Sequence, residues 1–158
     1  MSIDDNEVDD PVIQWVTFQL DGEMYGINVM QVQEVLRLSE IAPVPGAPDY
    51  VIGIINLRGN VVTVIDTRRR FGLMPTEAND LTRIIIFEVN GHVAGMQVDS
   101  VAEVVYLHQS EIETAPNVNS DDSSRFIQGV NSRGGKLLIL IDADKVLSDQ
   151  EISQFDGF

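Results

Sequence analysis

The chain has 158 residues, a formal net charge of −15, 44% hydrophobic residues and no cysteine. That length fits one globular domain or two small lobes, and that apolar content can fill a core, so disorder throughout is not expected. The acidic field disfavours nucleic acid and anionic membrane surfaces, and the missing cysteines exclude disulfides, thiolate nucleophiles and thiolate metal sites.

The first residues, up to about 12, carry Asp4, Asp5, Glu7, Asp9 and Asp10 and read as an acidic, solvated tail. They do not resemble a signal peptide, and no apolar run approaches the length of a membrane span, so a soluble intracellular protein is expected. From Trp15 the pattern alternates: Val16, Phe18 and Leu20 share one face. Asp21-Gly22 makes a turn, and Met24 to Val29 continues as a second strand of a hairpin. Val32 to Leu38 fits a helix face or a strand, and its β-branched content favours strand. Pro43, Pro45 and Pro48 punctuate a loop that ends near Tyr50. Strands are predicted at about Ile52–Leu57 and Val61–Ile65, joined by Arg58-Gly59-Asn60. Asp66 is a plausible N-cap for a short basic turn ending before Gly72.

After a polar linker the pattern restarts. Phe18 to Val35 lies without a gap on Phe87 to Val104 at an offset of 69, with Gly22/Gly91, Gly26/Gly95, Glu34/Glu103 and Val35/Val104 identical. Gly53 to Asp66 lies on Gly129 to Asp142 at an offset of 76, with both ends identical. The extra residues of the second copy fall in the loop Glu111–Arg125. A repeat dictates architecture. Each copy, about 15–72 and 82–147 with a linker at 73–81, reads as five short strands able to curl into a small barrel. Ser148-Asp-Gln-Glu151 is a capping box, which predicts a closing helix over about 148–156.

The run Gly53-Ile-Ile-Asn-Leu-Arg-Gly-Asn-Val-Val-Thr-Val-Ile-Asp66, with Thr67-Arg-Arg-Arg-Phe-Gly72 behind it, resembles the signature of CheW-like chemotaxis coupling proteins. Tyr25-Gly-Ile-Asn-Val29, Val32-Gln-Glu-Val35 and Ala42-Pro-Val-Pro-Gly-Ala-Pro48 fit the same family. The resemblance implies a single CheW-like domain over 13–158: mainly β, with two tandem, intertwined five-stranded SH3-like barrels and short helices. It implies a non-catalytic, cofactor-free scaffold in the cytoplasm, associated with receptor arrays at the inner membrane. Its partners would be the regulatory domain of the histidine kinase CheA and the cytoplasmic hairpin tip of chemoreceptors, with rings or arrays formed alongside the kinase regulatory domains.

The resemblance puts Arg58 at the receptor-facing groove, where a guanidinium suits carboxylate or carbonyl partners, although a turn arginine in an acidic chain is more often a surface ion-pair residue. Val32 and Glu34 match positions that contribute to receptor binding in relatives. Two apart on a strand, they are expected on one side, making an apolar groove with a polar edge. Glu113 and Val118 lie where relatives contact the kinase, but this chain lacks the basic and aromatic residues found there. Arg68-Arg69-Arg70 reads as a helix surface paired with nearby acids. His92 and His108 lack metal-ligand spacing, and His92 is expected exposed. Asp66 and Asp142 hold equivalent repeat positions, so symmetry explains them better than acid–base catalysis, the basis of the rival reading as a hydrolytic or small-molecule-binding double barrel.

Overall fold

The computed structural model describes residues 9–114 and 125–147. Ten strands and two single-turn helices follow in order: β1 (Val12–Leu20), β2 (Glu23–Asn28), β3 (Val32–Arg37), β4 (Val51–Leu57), β5 (Asn60–Asp66), α1 (Thr67–Arg70), β6 (Arg83–Val89), β7 (His92–Val98), β8 (Ser100–His108), β9 (Ile127–Arg133), β10 (Lys136–Ile141) and α2 (Ala143–Val146). The Val32 segment is a strand, as its β-branched residues predict. Val29 belongs to the 3-10 turn Val29–Gln31, capped by the Asn28 side chain, instead of extending β2. β1 starts three residues before Trp15, and Asp10 already accepts bonds from the Ser110 N–H and hydroxyl. The predicted helix over 148–156 lies outside the described residues.

Two five-stranded sheets run in the orders β8-β1-β2-β10-β9 and β3-β6-β7-β5-β4. Each sequence copy supplies five strands, but they are dealt across both sheets. The first copy gives β1 and β2 to one sheet and β3, β4 and β5 to the other; the second copy does the reverse. Shifting every strand by five positions in chain order maps one sheet on the other. Strands of the two copies meet in four pairs, β2 with β10 and β5 with β7 in parallel, β1 with β8 and β3 with β6 antiparallel. The two barrels are therefore intertwined.

Strand alternation sorts the apolar residues into three clusters. Ile84, Ile86, Val62, Val64 and Ile55, with Leu36 and Leu57, fill the second sheet. Both edge strands, β3 and β4, reach that cluster, so the sheet curls on itself. Trp15, Leu107, Leu138 and Leu140 fill the first sheet. The opposite faces of the same strands, with Phe18, Tyr25, Ile65, Phe87, Met96 and Ile141, meet in a shared core between the barrels. The repeated glycines follow from this. A Cβ on Gly26 would stand 3.1 Å from Leu140, and one on Gly95 2.9 Å from Ile84, each inside its own barrel.

Candidate functional site

All four two-residue hairpin loops put both residues at positive φ: Asp21-Gly22, Arg58-Gly59, Asn90-Gly91 and Gly134-Gly135. That geometry suits the right-handed strand twist and favours Asn, Asp or Gly first and Gly second. Arg58, at φ 50°, is the exception. Its Cβ makes this conformation costly, and Asn56 Oδ1 helps hold the turn by accepting the Gly59 N–H at 2.9 Å. The hairpin register also fixes the repeat alignment: Leu57 faces Asn60 and Arg133 faces Lys136, so Gly134 is the counterpart of Arg58.

The Arg58 guanidinium donates from both terminal nitrogens to the two carboxylate oxygens of Glu34 on β3. The bond from Arg58, with its charge, holds the Glu34 carboxyl below its usual range, and the same bond raises the Arg58 value. The Arg58 side chain is 69% exposed and that of Glu34 26%. Fork geometry of this type also serves an incoming carboxylate or carbonyl.

Val32 does not share this face. β3 carries a bulge at Gln33: Val32 pairs with Phe87, and Glu34 with Ile86. Directly opposed residues lie on one face of a sheet. Val32 is thus half-buried against the shared core with Phe87, while Glu34 lies on the side of Ile86 and Leu36. The one-sided arrangement of Val32 and Glu34 expected from a regular strand is corrected by that extra residue.

Beside Arg58 runs a groove of about 370 Å³, lined by Gln33, Leu57, Arg58, Asn60, Val61, His92, Val93 and Leu147 among others. Val61 is 60% exposed there. Its apolar members escape sequence reasoning, because Val61 begins a continuous apolar run in which alternation cannot assign faces. His92 is half-buried on the groove wall, less exposed than its hairpin position predicts. The pseudo-symmetric counterpart is a cleft of about 360 Å³ on the first sheet, with Met24 in place of Val93, Leu137 in place of Val61 and Gly134 in place of Arg58.

Glu113 is exposed, and its backbone exchanges both hydrogen bonds with Val130 at 2.8 Å. Ala42 and Ile54 form the equivalent bridge in the other sheet. Val118 lies outside the described residues. Arg68 and Arg69 of α1 pair with acids, as expected, and Arg70 is held by a carbonyl and two rings. Arg68 donates to both oxygens of Asp99 at 2.9 and 2.5 Å, and Arg69 lies 3.7 Å from Asp66. Arg70 donates to the Val146 carbonyl at 2.7 Å and stacks between Tyr50 and Phe126, which are repeat counterparts. Asp66 and Asp142 both cap helices, accepting from the N–H of Arg69 and Asp144 respectively. Among the described residues, no three His, Cys, Asp or Glu side chains gather as a metal site, and no helix is long and apolar enough to cross a membrane.

A family model described as "CheW-like domain" matches residues 14–151. The chemotaxis protein CheW of Bacillus subtilis is 40% identical over 139 residues, 88% of each chain. The chemotaxis protein CheW of Treponema pallidum is 34% identical over 151 residues, covering 93% of this chain and 89% of the relative. The crystal structure of the scaffolding protein TtCheW from Thermoanaerobacter tengcongensis aligns with a TM-score of 0.82 at 33% identity, over 89% of this chain and 96% of that one.

Proposed function

The chain belongs to the family of CheW-like domains, and from that premise we propose that it is a chemotaxis coupling adaptor whose Arg58 groove receives the receptor. One observation carries the site: Arg58 alone among the four hairpin residues at this position is neither Asp, Asn nor Gly, yet holds the same positive φ. Backbone strain of this type persists where the side chain is needed. The guanidinium and Glu34 form a polar edge, and Leu57, Val61 and Val93 supply apolar anchors for one face of a helical hairpin tip. Val32, on the other face of β3, seats that strand on the shared core.

The regulatory domain of the kinase CheA is assigned to the first sheet, near Glu113, with Val118 kept as a contact from the family resemblance alone. The bridge to Val130 fixes Glu113 on that sheet, whereas Arg58 belongs to the other. Separate sheets let one rigid body hold two partners, so the second encounter becomes effectively intramolecular. The scaffold works without catalysis: Asp66 and Asp142, the pair a hydrolytic reading needs, are engaged as helix caps. Control of the kinase then requires different contacts in each arrangement of the complex. Assembly takes place at receptor arrays on the cytoplasmic side of the membrane.

The test is co-assembly with a receptor signalling fragment and the kinase. Arg58→Glu is expected to weaken receptor capture at least tenfold, the scale of a lost hydrogen bond to a charged group (about 1.5–3 kcal/mol), while kinase binding persists. Adding Glu34→Lys restores the internal pair but is not expected to restore capture. Undiminished capture by Arg58→Glu would retire the site assignment.

A further inference from the structure

Pseudo-symmetry sets a second cleft against the Arg58 groove, and the two differ in charge. The cleft of about 360 Å³ takes residues from all five strands of the first sheet and opens beside the β9–β10 hairpin. Arg133 and Lys136 flank the Gly134-Gly135 turn, oppose each other directly and both line the cleft. Directly opposed residues share a face, and alternation makes it the face of Leu138 and Leu140, in the apolar cluster of that barrel. Like charges so placed repel and cost stability. Neither side chain makes an ion pair or hydrogen bond among the described residues, although the chain holds 25 acidic residues against 10 basic ones. We propose that this cleft docks a short acidic segment of a partner protein, with one apolar side chain seated between flanking carboxylates.

The lining selects both halves of that occupant. Met24, Val105 and Leu138 give the cleft an apolar floor, and Leu137 is 47% exposed at its rim. A leucine-sized anchor suits such a surface. Around it, the Arg133 guanidinium and the Lys136 ammonium offer their side-chain N–H donors to carboxylates. Glu103, from β8, is the one acid of the lining among the described residues, and it pairs with neither cation, so the lining keeps a net positive charge. The Arg58 groove offers an acid less. Leu57 and Asn60 stand there in place of Arg133 and Lys136, and Arg58 already binds Glu34. The net charge of −15 repels an acidic body at a distance, so attraction arises only at contact. That favours a short segment over an acidic domain or a second copy of this chain. The cleft is independent of the Arg58 reading, because it lies on the other sheet.

The probe is a short synthetic peptide with one leucine between glutamates, titrated to millimolar concentration into the full-length protein while methyl NMR signals are followed. Met24 and Leu137 are expected to shift, and Val61 and Val93 of the Arg58 groove to stay. Exchanging the glutamates for lysines, or the leucine for glycine, is expected to weaken binding about tenfold or more. Lys136→Glu is the decisive variant, because it turns the opposed cations into a cross-strand ion pair. It should hold or raise the urea midpoint, since repulsion becomes attraction, yet weaken the acidic peptide about tenfold or more. Arg58→Glu should leave peptide binding unchanged. Absence of any shift, equal binding of the lysine peptide, shifts at Val61 and Val93 in place of Met24 and Leu137, or full binding by Lys136→Glu would overturn the docking. Shifts of Met24 and Leu137 that grow with protein concentration alone would put a second copy in the cleft and overturn the acidic segment as its occupant.

Discussion

Arg58 holds a backbone conformation that its own side chain opposes. At φ 50° it occupies the position filled by Asp21, Asn90 and Gly134 in the other hairpins. A non-glycine residue there costs about 1 kcal/mol or more, and asparagine tolerates it better. Arg58→Asn therefore relieves strain but removes an exposed ion pair, itself worth about 0.2–1 kcal/mol. The two nearly cancel, so the urea midpoint is expected to stay within what about 0.5 kcal/mol produces, while receptor capture falls about tenfold. A loss above about 1 kcal/mol with capture intact would mean that Arg58 serves the fold. The reverse logic applies to Gly53. A Cβ there would stand 2.1 Å from the Ala42 carbonyl oxygen, in the backbone bridge that closes the barrel. At Gly129 the nearest atom is the Ile112 side chain, at 2.6 Å, which can yield more readily. Gly53→Ala is expected to cost more than about 3 kcal/mol and Gly129→Ala about 1–2, read from urea midpoints. Equal costs would count against this account of the bridges. The turn glycines and the Asp66 cap were legible in the sequence, because each acts within a few residues. The face of Val32 was not, since the bulge at Gln33 is set by pairing with β6, some fifty residues on.

The short helix α1 shows what three adjacent arginines do in an acidic chain. Arg68 grips Asp99 at the β7–β8 corner and lies 3.6 Å from Asp21 in the β1–β2 turn. It thereby ties the second sheet to a hairpin of the first. Burial pushes the Asp99 carboxyl upward, but bonds from Arg68 and the Asp21 N–H, with the Arg68 charge, outweigh it and hold it below 3.8. A carboxyl depressed in the folded state stabilises fully above its unfolded value, near 3.9, and that stability disappears as pH falls through the folded value. Stability should therefore drop on acidification below about pH 5, and Asp99→Asn should make the drop shallower in urea midpoints taken between about pH 5 and 2. An unchanged acid slope would show that Asp99 carries little of it. Pairing of these arginines was foreseeable from composition alone. Their partners were not, because Asp99 and Asp21 come from turns whose spatial meeting has no local sequence signal. The strands were legible from alternation, and the segment at Val32 became certain only through its pairing with β6.

The exchange of strands between the two repeats governs how the molecule comes apart. The repeat told of two similar units, but pairing between them leaves no periodicity to read. β1 pairs with β8, β2 with β10, β3 with β6 and β5 with β7. Every one of these contacts joins the first half of the chain to the second. Residues 1–73 alone keep the β1–β2 and β4–β5 hairpins, but β3 loses its strand partner and neither barrel is complete. The shared core, with Phe18, Tyr25 and Ile65 from one half and Phe87, Met96 and Ile141 from the other, is opened as well. Isolated hairpins are marginal in water, so neither half has enough buried surface to offset the entropy of ordering it. The full chain should accordingly unfold in one transition, with calorimetric and van't Hoff enthalpies in agreement. Residues 1–73 and 74–158 made separately should each lack a cooperative transition, and mixing them from denaturant should restore one along with receptor capture. Two independent transitions in the full chain, or cooperative melting of either half alone, would show that each repeat is a folding unit despite the exchange. With the exchange in force, a strain placed at the Arg58 groove reaches the barrel assigned to the kinase through the shared core, to which strands of both sheets contribute.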